Sequence, residues 1–300
     1  MEKIRRLNLK QLKPEDREEL ELFTEPQFRC CLEGKDPYNI TDTTIVAIGS
    51  TSVGLALASI FPELSFAIVH SIQAKDGMEE QLESLFNLLE KELANEKATN
   101  VSFKFYDDGK KSNVLWKVLK KRAWAEPELF MLKYFFHVHT FNTPWLKKPA
   151  PFTKKFKEFP WKNLKPHEKA ELHRKENQNY FPLHLSPFFV DESLIDPINS
   201  LGLRYNGKVI GWMITLIVAP STLSYAILYI DPEFQKTGYA MRLLADAIEI
   251  NKRSNLAYAI FEINIEQSDA RWLAFIERRL APYAIDVAKV FSSWKTLEDL

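Results

Sequence analysis

The chain has 300 residues, 46% hydrophobic and 27% charged, the composition of a globular protein with room for about two domains. Its 40 basic and 40 acidic residues cancel, which argues against a general nucleic-acid binder, although a zero sum can hide local patches. The 2 cysteines, Cys30 and Cys31, are neighbours, so neither a disulfide framework nor a cysteine-based zinc site is available, and a reducing, cytoplasmic setting is expected.

The first residues, Met1 to Arg6, lack the apolar core of a signal peptide. Ile4 to Leu9 reads as a short strand, and Pro14 opens an amphipathic helix through Phe23. Thr44 to Phe61 is the most apolar stretch. Gly49, Ser50, Thr51 and Ser52 interrupt it, so it reads as a hairpin of Thr43–Ile48 and Val53–Ile60 rather than a membrane span. A strand at Leu64–Val69 follows. Apolar residues at helical spacing then predict a helix from Met78 to Leu93. Next come a strand (Val101–Tyr106), a helix that Ser112 could cap (Val114–Lys121), and a strand region (Leu129–His137).

From residue 200 the same order returns. Leu201–Tyr205 and Val209–Val218 flank the tight-turn dipeptide Asn206-Gly207, and Leu223–Ile230 is the next strand. A helix runs from Tyr239 to Lys252 and a strand from Ala257 to Ile263. Ser268 or Asp269 could cap a helix ending near Pro282, and Val290–Thr296 is a last strand. Val53-Gly54 answers Ile210-Gly211, Gly77 answers Gly238, and Lys120-Lys121-Arg122-Ala123 resembles Arg278-Arg279-Leu280-Ala281. The order predicts a tandem duplication of one α+β unit of ~100–150 residues. The alternative is one large mixed fold with a coincidental order.

Between the halves lies a basic segment rich in proline and aromatics, roughly 143–187. Its basic residues run from Lys147 to Lys175, against the acids Glu158, Glu168 and Glu171. It reads either as a solvated linker or as a docking surface for an acidic partner, such as the phosphates of coenzyme A or an acidic acyl-carrier protein.

The chemistry concentrates where Leu223–Ile230 runs into Asp231-Pro232-Glu233-Phe234 and then Gln235-Lys236-Thr237-Gly238-Tyr239-Ala240. A small-residue turn opening a helix offers backbone N–H groups and the positive end of the helix dipole, which together suit a pyrophosphate. Gly238 permits close backbone approach, Ala240 keeps the next position small, and Lys236 and Arg242 add positive charge.

This segment resembles the acyl-CoA-binding motif of the GNAT N-acyltransferase superfamily, Gln/Arg-x-x-Gly-x-Gly/Ala. Gln235, Gly238 and Ala240 stand at its fixed positions, and Ile230-Asp231-Pro232 is similar to its hydrophobic-x-Pro lead-in. The order of elements over about Leu201 to Thr296 is also the family's. The resemblance implies an α+β fold of two tandem GNAT-like domains, each a mixed, mostly antiparallel twisted sheet flanked by helices. Its expected boundaries are 1–142 for a degenerate domain, 143–187 for a basic Pro/aromatic-rich linker and helical segment, and 188–300 for the acyltransferase domain.

It further implies an acyl-CoA cosubstrate, acetyl or longer, no metal, and direct attack by an amine on the thioester. The acceptor is a small molecule or a peptide, with a long acyl chain on a Lys or ornithine side chain as one version. In family terms the strand before the motif splays from the next strand to hold the pantetheine arm. A backbone N–H near Ile230 polarises the thioester carbonyl. The backbone N–H groups of Lys236, Gly238, Tyr239 and Ala240 hold the pyrophosphate, Gln235 and Thr237 complete the cofactor-binding loop, and Asn264 is a candidate to bind the arm through its amide.

The family's proton relay is not reproduced. Ser224 to Tyr229 holds no carboxylate, Ala270 to Phe275 holds no Tyr, and the Gly-Phe after that helix is absent. The candidate catalytic residues are Glu262, Tyr229 and His184. The vacancies leave an alternative open, a non-catalytic module that senses acyl-CoA or scaffolds a partner. Trp212, Met213, Leu216 and Ile227 could line an acyl tunnel or form plain core.

In the first half the equivalent turn, Gln73 to Glu80, carries Asp76, Glu79 and Glu80 where a pyrophosphate would sit, so that copy reads as degenerate. His137 and His139 share one strand face, a weak metal signal without a third ligand. No nucleic acid and no membrane span are expected.

Overall fold

Alternating and continuous apolar runs produce the strands, and apolar residues three and four apart produce the helices. The computed structural model describes residues 4–37, 42–75, 79–107, 109–147, 151–268 and 270–297. In chain order the elements are β1 (Arg5–Arg6), α1 (Pro14–Glu21), β2 (Thr44–Ser50), β3 (Gly54–Phe61), β4 (Phe66–Ala74), α2 (Glu79–Asn95), β5 (Asn100–Tyr106), α3 (Lys110–Lys121) and β6 (Glu128–His137). Then follow β7 (Phe156–Pro160), α4 (Pro166–Asn177), β8 (Leu201–Tyr205), β9 (Lys208–Ala219), β10 (Thr222–Ile230), α5 (Tyr239–Asn251), β11 (Tyr258–Asn264), α6 (Ala270–Arg279) and β12 (Asp286–Thr296). The predicted strands and helices are all present, within a few residues at their ends. The start of α3 differs: Gly109, with φ 77°, is its cap, which puts Ser112 inside the first turn. Gly77, Met78 and Asp269, which the repeat and capping expectations used, lie outside the described residues, as do Asp76 and Lys148.

Two compact units result. The first comprises residues 1–131 and 288–300, the second residues 132–287. In the first, neighbouring strands run in the order β1-β2-β3-β4-β5-β12. In the second they run β7-β8-β9-β10-β11-β6. Each sheet is mostly antiparallel with one parallel pair, β4–β5 and β10–β11. This is the expected α+β architecture.

The boundaries differ from those expected. The helical segment expected within 143–187 is α4, but the rest is not a free linker: β7 pairs with β8 as an edge strand, and α4 packs on the same strands through Leu172. Arg204 of β8 binds Glu168 of α4 through Nε at 2.6 Å and Nη2 at 2.7 Å, and both side chains are nearly inaccessible. Residues 132–142 also belong to the second unit, where Lys133 of β6 meets Glu262 of β11 at 2.9 Å and Val138 N–H donates to Ala257 O.

The last strand leaves the expected 188–300 domain. β12 pairs antiparallel with β5, from Val290 with Tyr106 to Thr296 with Asn100. Lys295 on it reaches the buried Glu90 of α2 at 2.8 Å, which also accepts from Arg122 and from Trp124 Nε1. A buried carboxylate needs such partners, so this cluster fixes the strand to the first unit.

The repeat is reproduced in register. Gly54 pairs with Ala74 and Gly211 with Ile230; four positions further along, each ladder slips by one residue, at His70 in β4 and at Ala226 in β10. In both units the parallel pairing ends at that bulge, after Val69–Phe103 and after Ser224–Ile260. A bulge twists its strand, so the two strands part beyond it.

Helix α5 covers one face of the second sheet with Leu243, Leu244, Ala247 and Ile248. The opposite face carries Trp212, Ile214, Ile227 and Tyr229 under Phe159, Trp161, Leu172 and Phe181. Trp212, Met213 and Ile227 are fully packed, and Leu216 is partly so, so these four serve as core. Among the described residues no helix is long and apolar enough to cross a membrane.

Candidate active site

The site begins at the fork between β10 and β11. Asp231 N–H donates to Ile210 O on β9 at 2.7 Å. Antiparallel bonding alternates along a strand, so the N–H groups of Ile230 and Leu228 aim the other way, toward the side where β11 has drawn apart. Two aligned donors thus line one wall of an open cleft between the strands.

At the mouth of the cleft the chain turns into α5. Pro232–Thr237 makes a 3₁₀ turn, and Gly238 takes φ 80°, a left-handed conformation that costs glycine least. Its helix has no side-chain cap, and the first-turn N–H groups of Ala240 and Met241 have no helical carbonyl before them. Thr237 Oγ1 donates to Phe234 O at 2.6 Å and lies 3.4 Å from Tyr239 N. Lys236 and Thr237 are exposed. The Tyr239 side chain is buried against Phe152 and Phe156, so only its backbone faces this turn. Arg242 is ion-paired with Asp246 one turn on.

Gln235 has a task of its own. Its amide Nε2 donates to Ile230 O at 3.3 Å, tying the turn back to the strand end. Asn264 at the end of β11 accepts from Glu266 N at 3.0 Å and Gln267 N at 3.2 Å, so its Oδ1 holds the following turn.

The three predicted catalytic residues come to one side of the sheet, the face opposite α5. Tyr229 is buried there and stacks on Trp212 with ring centroids 4.6 Å apart. Glu262 alternates with the α5-facing Phe261 and Ile263, and so shares the Tyr229 face. It is held by Lys133. His184 sits in a 3₁₀ turn, Leu183–Leu185, packed against β10 and anchored by Trp212 Nε1 donating to Leu185 O at 2.9 Å.

A polar cluster that the sequence did not single out lies beside Tyr229. Asp231 is buried, 6% exposed, with Lys175 Nζ of α4 at 3.7 Å. Burial lifts the Asp231 carboxyl above its ordinary range, against the pull of Lys175 and of the Tyr229 hydroxyl. Burial, reinforced by the Asp231 charge, likewise lifts the Tyr229 phenol. Tyr180 stands beside the same carboxylate, and Lys175 Nζ lies 4.5 Å over its ring. The sequence pointed to Tyr229 and, in the lead-in to the motif, to Asp231; Lys175 and Tyr180 are more than fifty residues upstream, in the segment expected to be linker and helix.

Two parting strands with donors on one wall, a glycine turn and an uncapped helix at the mouth, and titratable groups on one face make up the candidate site. The profile of the acetyltransferase (GNAT) family matches residues 161–281. The second unit is therefore a member of the GNAT acetyltransferase family, whose enzymes are acyl-CoA-dependent transferases. Over 99% of this chain and 98% of the other, the fold is similar to a tandem GNAT protein from the clavulanic acid biosynthesis pathway, with a TM-score of 0.67 at 9% identity. It is also similar to a GCN5-related N-acetyltransferase from Sphaerobacter thermophilus, with TM-score 0.55, 11% identity, and 85% and 81% of the two chains covered. A third likeness is to a fungal multi-domain GH3 beta-N-acetylglucosaminidase that contains a GCN5-related glucosamine N-acetyltransferase region. There the TM-score is 0.65 at 12% identity, with 98% of this chain and 38% of that one covered. Comparison of the sequence with curated proteins gives no match.

Proposed function

We propose that the second unit moves an acyl group from acyl-CoA to an amine by direct attack in the β10–β11 cleft. One observation carries the reading: the strands part at the Ala226 bulge, and the Leu228 and Ile230 N–H groups line a path that leads to the Gly238 turn. In this reading the backbone of Lys236, Thr237, Gly238, Tyr239 and Ala240 holds the pyrophosphate. Asn264 Nδ2 and the Ile230 N–H hold the pantetheine arm, and the Leu228 N–H polarises the thioester carbonyl.

The amine nitrogen attacks the carbonyl carbon, the carbon–sulfur bond breaks, and the thiolate departs. Asp231, whose raised carboxyl is better matched to a base at neutral pH, takes the proton of the attacking amine, with His184 and Glu262 as further candidates on that face. Tyr229, held protonated, returns a proton to the thiolate. The acceptor is a small amine or a peptide amine, and the donor is CoA or an acyl-carrier protein. The first unit, with Glu79 and Glu80 exposed at the start of α2, serves a structural role.

A second reading is a non-catalytic acyl-CoA-binding module, which the Lys133 clamp on Glu262 supports. Titration calorimetry with CoA and acetyl-CoA, followed by a thiol-release assay on a panel of amines, separates the two. Binding with release supports the enzyme, binding without release for every amine supports the module, and no binding sinks both.

A further inference from the structure

Beyond the last β10–β11 pair, Ser224–Ile260, the first residues of the parted strands are Tyr225 and Phe261. Both line one apolar cavity on the α5 face, together with Ala259 of β11, Leu244 and Ile248 of α5 and Phe136 of β6. The closed end of the cleft and the wall of the cavity are thus the same two side chains. The polar end of Tyr225 is engaged elsewhere, since Asn251 Nδ2 donates to its hydroxyl at 3.3 Å. The lining offers no polar group for an ordered water, and apolar cavities of this kind stay dry.

We infer that this cavity receives the tail of the donor's acyl group and selects short chains, of roughly four or five carbons, over both acetyl and long fatty acyl groups. The inference rests on the acyl-CoA reading of the cleft. An acyl group whose carbonyl lies at the Leu228 donor continues toward the closed end, where Tyr225 and Phe261 stand at the wall of the cavity. The volume sets the limit. The cavity measures about 30 Å³, and a single water needs roughly 10–15 Å³ on the same scale, so there is room for about two or three methylene-sized groups and no more. Acetyl leaves the space unfilled, and a long chain overfills a wall built from two strands and a helix.

The test is a calorimetric series on the full chain with CoA, acetyl-, butyryl-, hexanoyl- and lauroyl-CoA. Each buried methylene favours binding enough that two of them give about a tenfold gain. Butyryl-CoA, with two methylenes more than acetyl-CoA, is therefore expected to bind about tenfold tighter, with no further gain for hexanoyl-CoA and the gain lost for lauroyl-CoA. An affinity that is flat along the series, or highest for lauroyl-CoA, overturns the inference while leaving the cleft reading intact. Failure of CoA itself to bind overturns the cleft reading instead.

Ala259→Leu fills the cavity and is expected to bring butyryl-CoA to the acetyl-CoA level; a persisting gain places the tail elsewhere. If Ala259→Leu does not fold, Leu244→Ala enlarges the same space and is expected to shift the optimum to longer chains. An unshifted optimum in that variant also overturns the assignment.

Discussion

Gly54 and Gly211 occupy the same register position in the two units, each opposite the last residue of the strand that leads to a helix. Gly54 pairs with Ala74 and Gly211 with Ile230. At each, an added Cβ would meet backbone of the facing strand: Gln73 O and the Ala74 Cα at 2.8 Å in one case, Tyr229 O at 2.7 Å in the other. The strands approach more closely than a side chain allows, and the slip at His70 and Ala226 follows at the same interval. Coincidental order would not reproduce the pairing, the crowding and the bulge together, which argues for duplication over one mixed fold.

Gly54→Ala should cost at least about 2 kcal/mol, because it combines the clash with a positive φ of 144°. Gly211→Ala lacks the backbone strain and should cost less. Urea unfolding of both variants measures the difference, and equal, small losses would contradict the close approach.

Gly238→Glu places a carboxylate in the turn assigned to the pyrophosphate, at a φ of 80° that disfavours any side chain. Acetyl-CoA affinity should fall at least about tenfold by calorimetry, with the far-ultraviolet dichroism of the fold retained. Undiminished affinity would move the pyrophosphate elsewhere.

Asp231→Asn should reduce turnover by roughly 100-fold or more while leaving the acyl-CoA dissociation constant unchanged, as loss of a general base does. In the unsubstituted protein the rate should fall with acidity at a pH above the usual carboxylate range, because burial raises the Asp231 carboxyl. A rate that tracks an ordinary carboxylate, or an unaffected Asp231→Asn, would shift the role to His184 or Glu262.

His70 governs a pH dependence of stability in the first unit. It is buried, its Nε2 lies 2.7 Å from Ser59 Oγ, and Ser59 Oγ donates to Asp36 Oδ2 at 2.6 Å. Desolvation by burial lowers it from 6.5 to about 4, although the Asp36 charge opposes this. The unfolded chain therefore binds more protons than the folded one between those values. Stability should be full above pH 6.5 and decline as the pH falls toward 4, by about 3 kcal/mol in total from this group. His70→Phe should flatten that stretch of a denaturant-midpoint profile; an unchanged slope assigns it to other groups.

Much of this was legible in the chain. The glycine turn at Gly238, the hairpin at Asn206-Gly207, with φ 46° and 83°, and the apolar spacing of α2 and α5 are local codes. They depend on neighbours a few residues away, so they read correctly. A helical segment was expected here, but β7 and the docking of α4 escaped because their outer faces are charged: Lys157 on β7 and Glu171 and Arg174 on α4 are exposed, while Phe159 and Leu172 face inward. A short edge strand and a helix with one buried apolar residue give little periodicity to detect.

The sequence by itself determined the elements, their repeated order and the turn that opens α5, because hydrophobic period, capping and positive φ are properties of short segments. Which strand pairs with which, and which side chains meet beside Tyr229, depends on contacts between distant segments that no local pattern encodes. β12 joins β5, and β6 joins β11, through ladder bonds and buried charges such as Lys295 with Glu90 that lie 205 residues apart in the chain. Lys175, Tyr180, Tyr229 and Asp231 likewise become one cluster only when α4 packs on the sheet, since burial and neighbouring charge, not residue type, set what each can do.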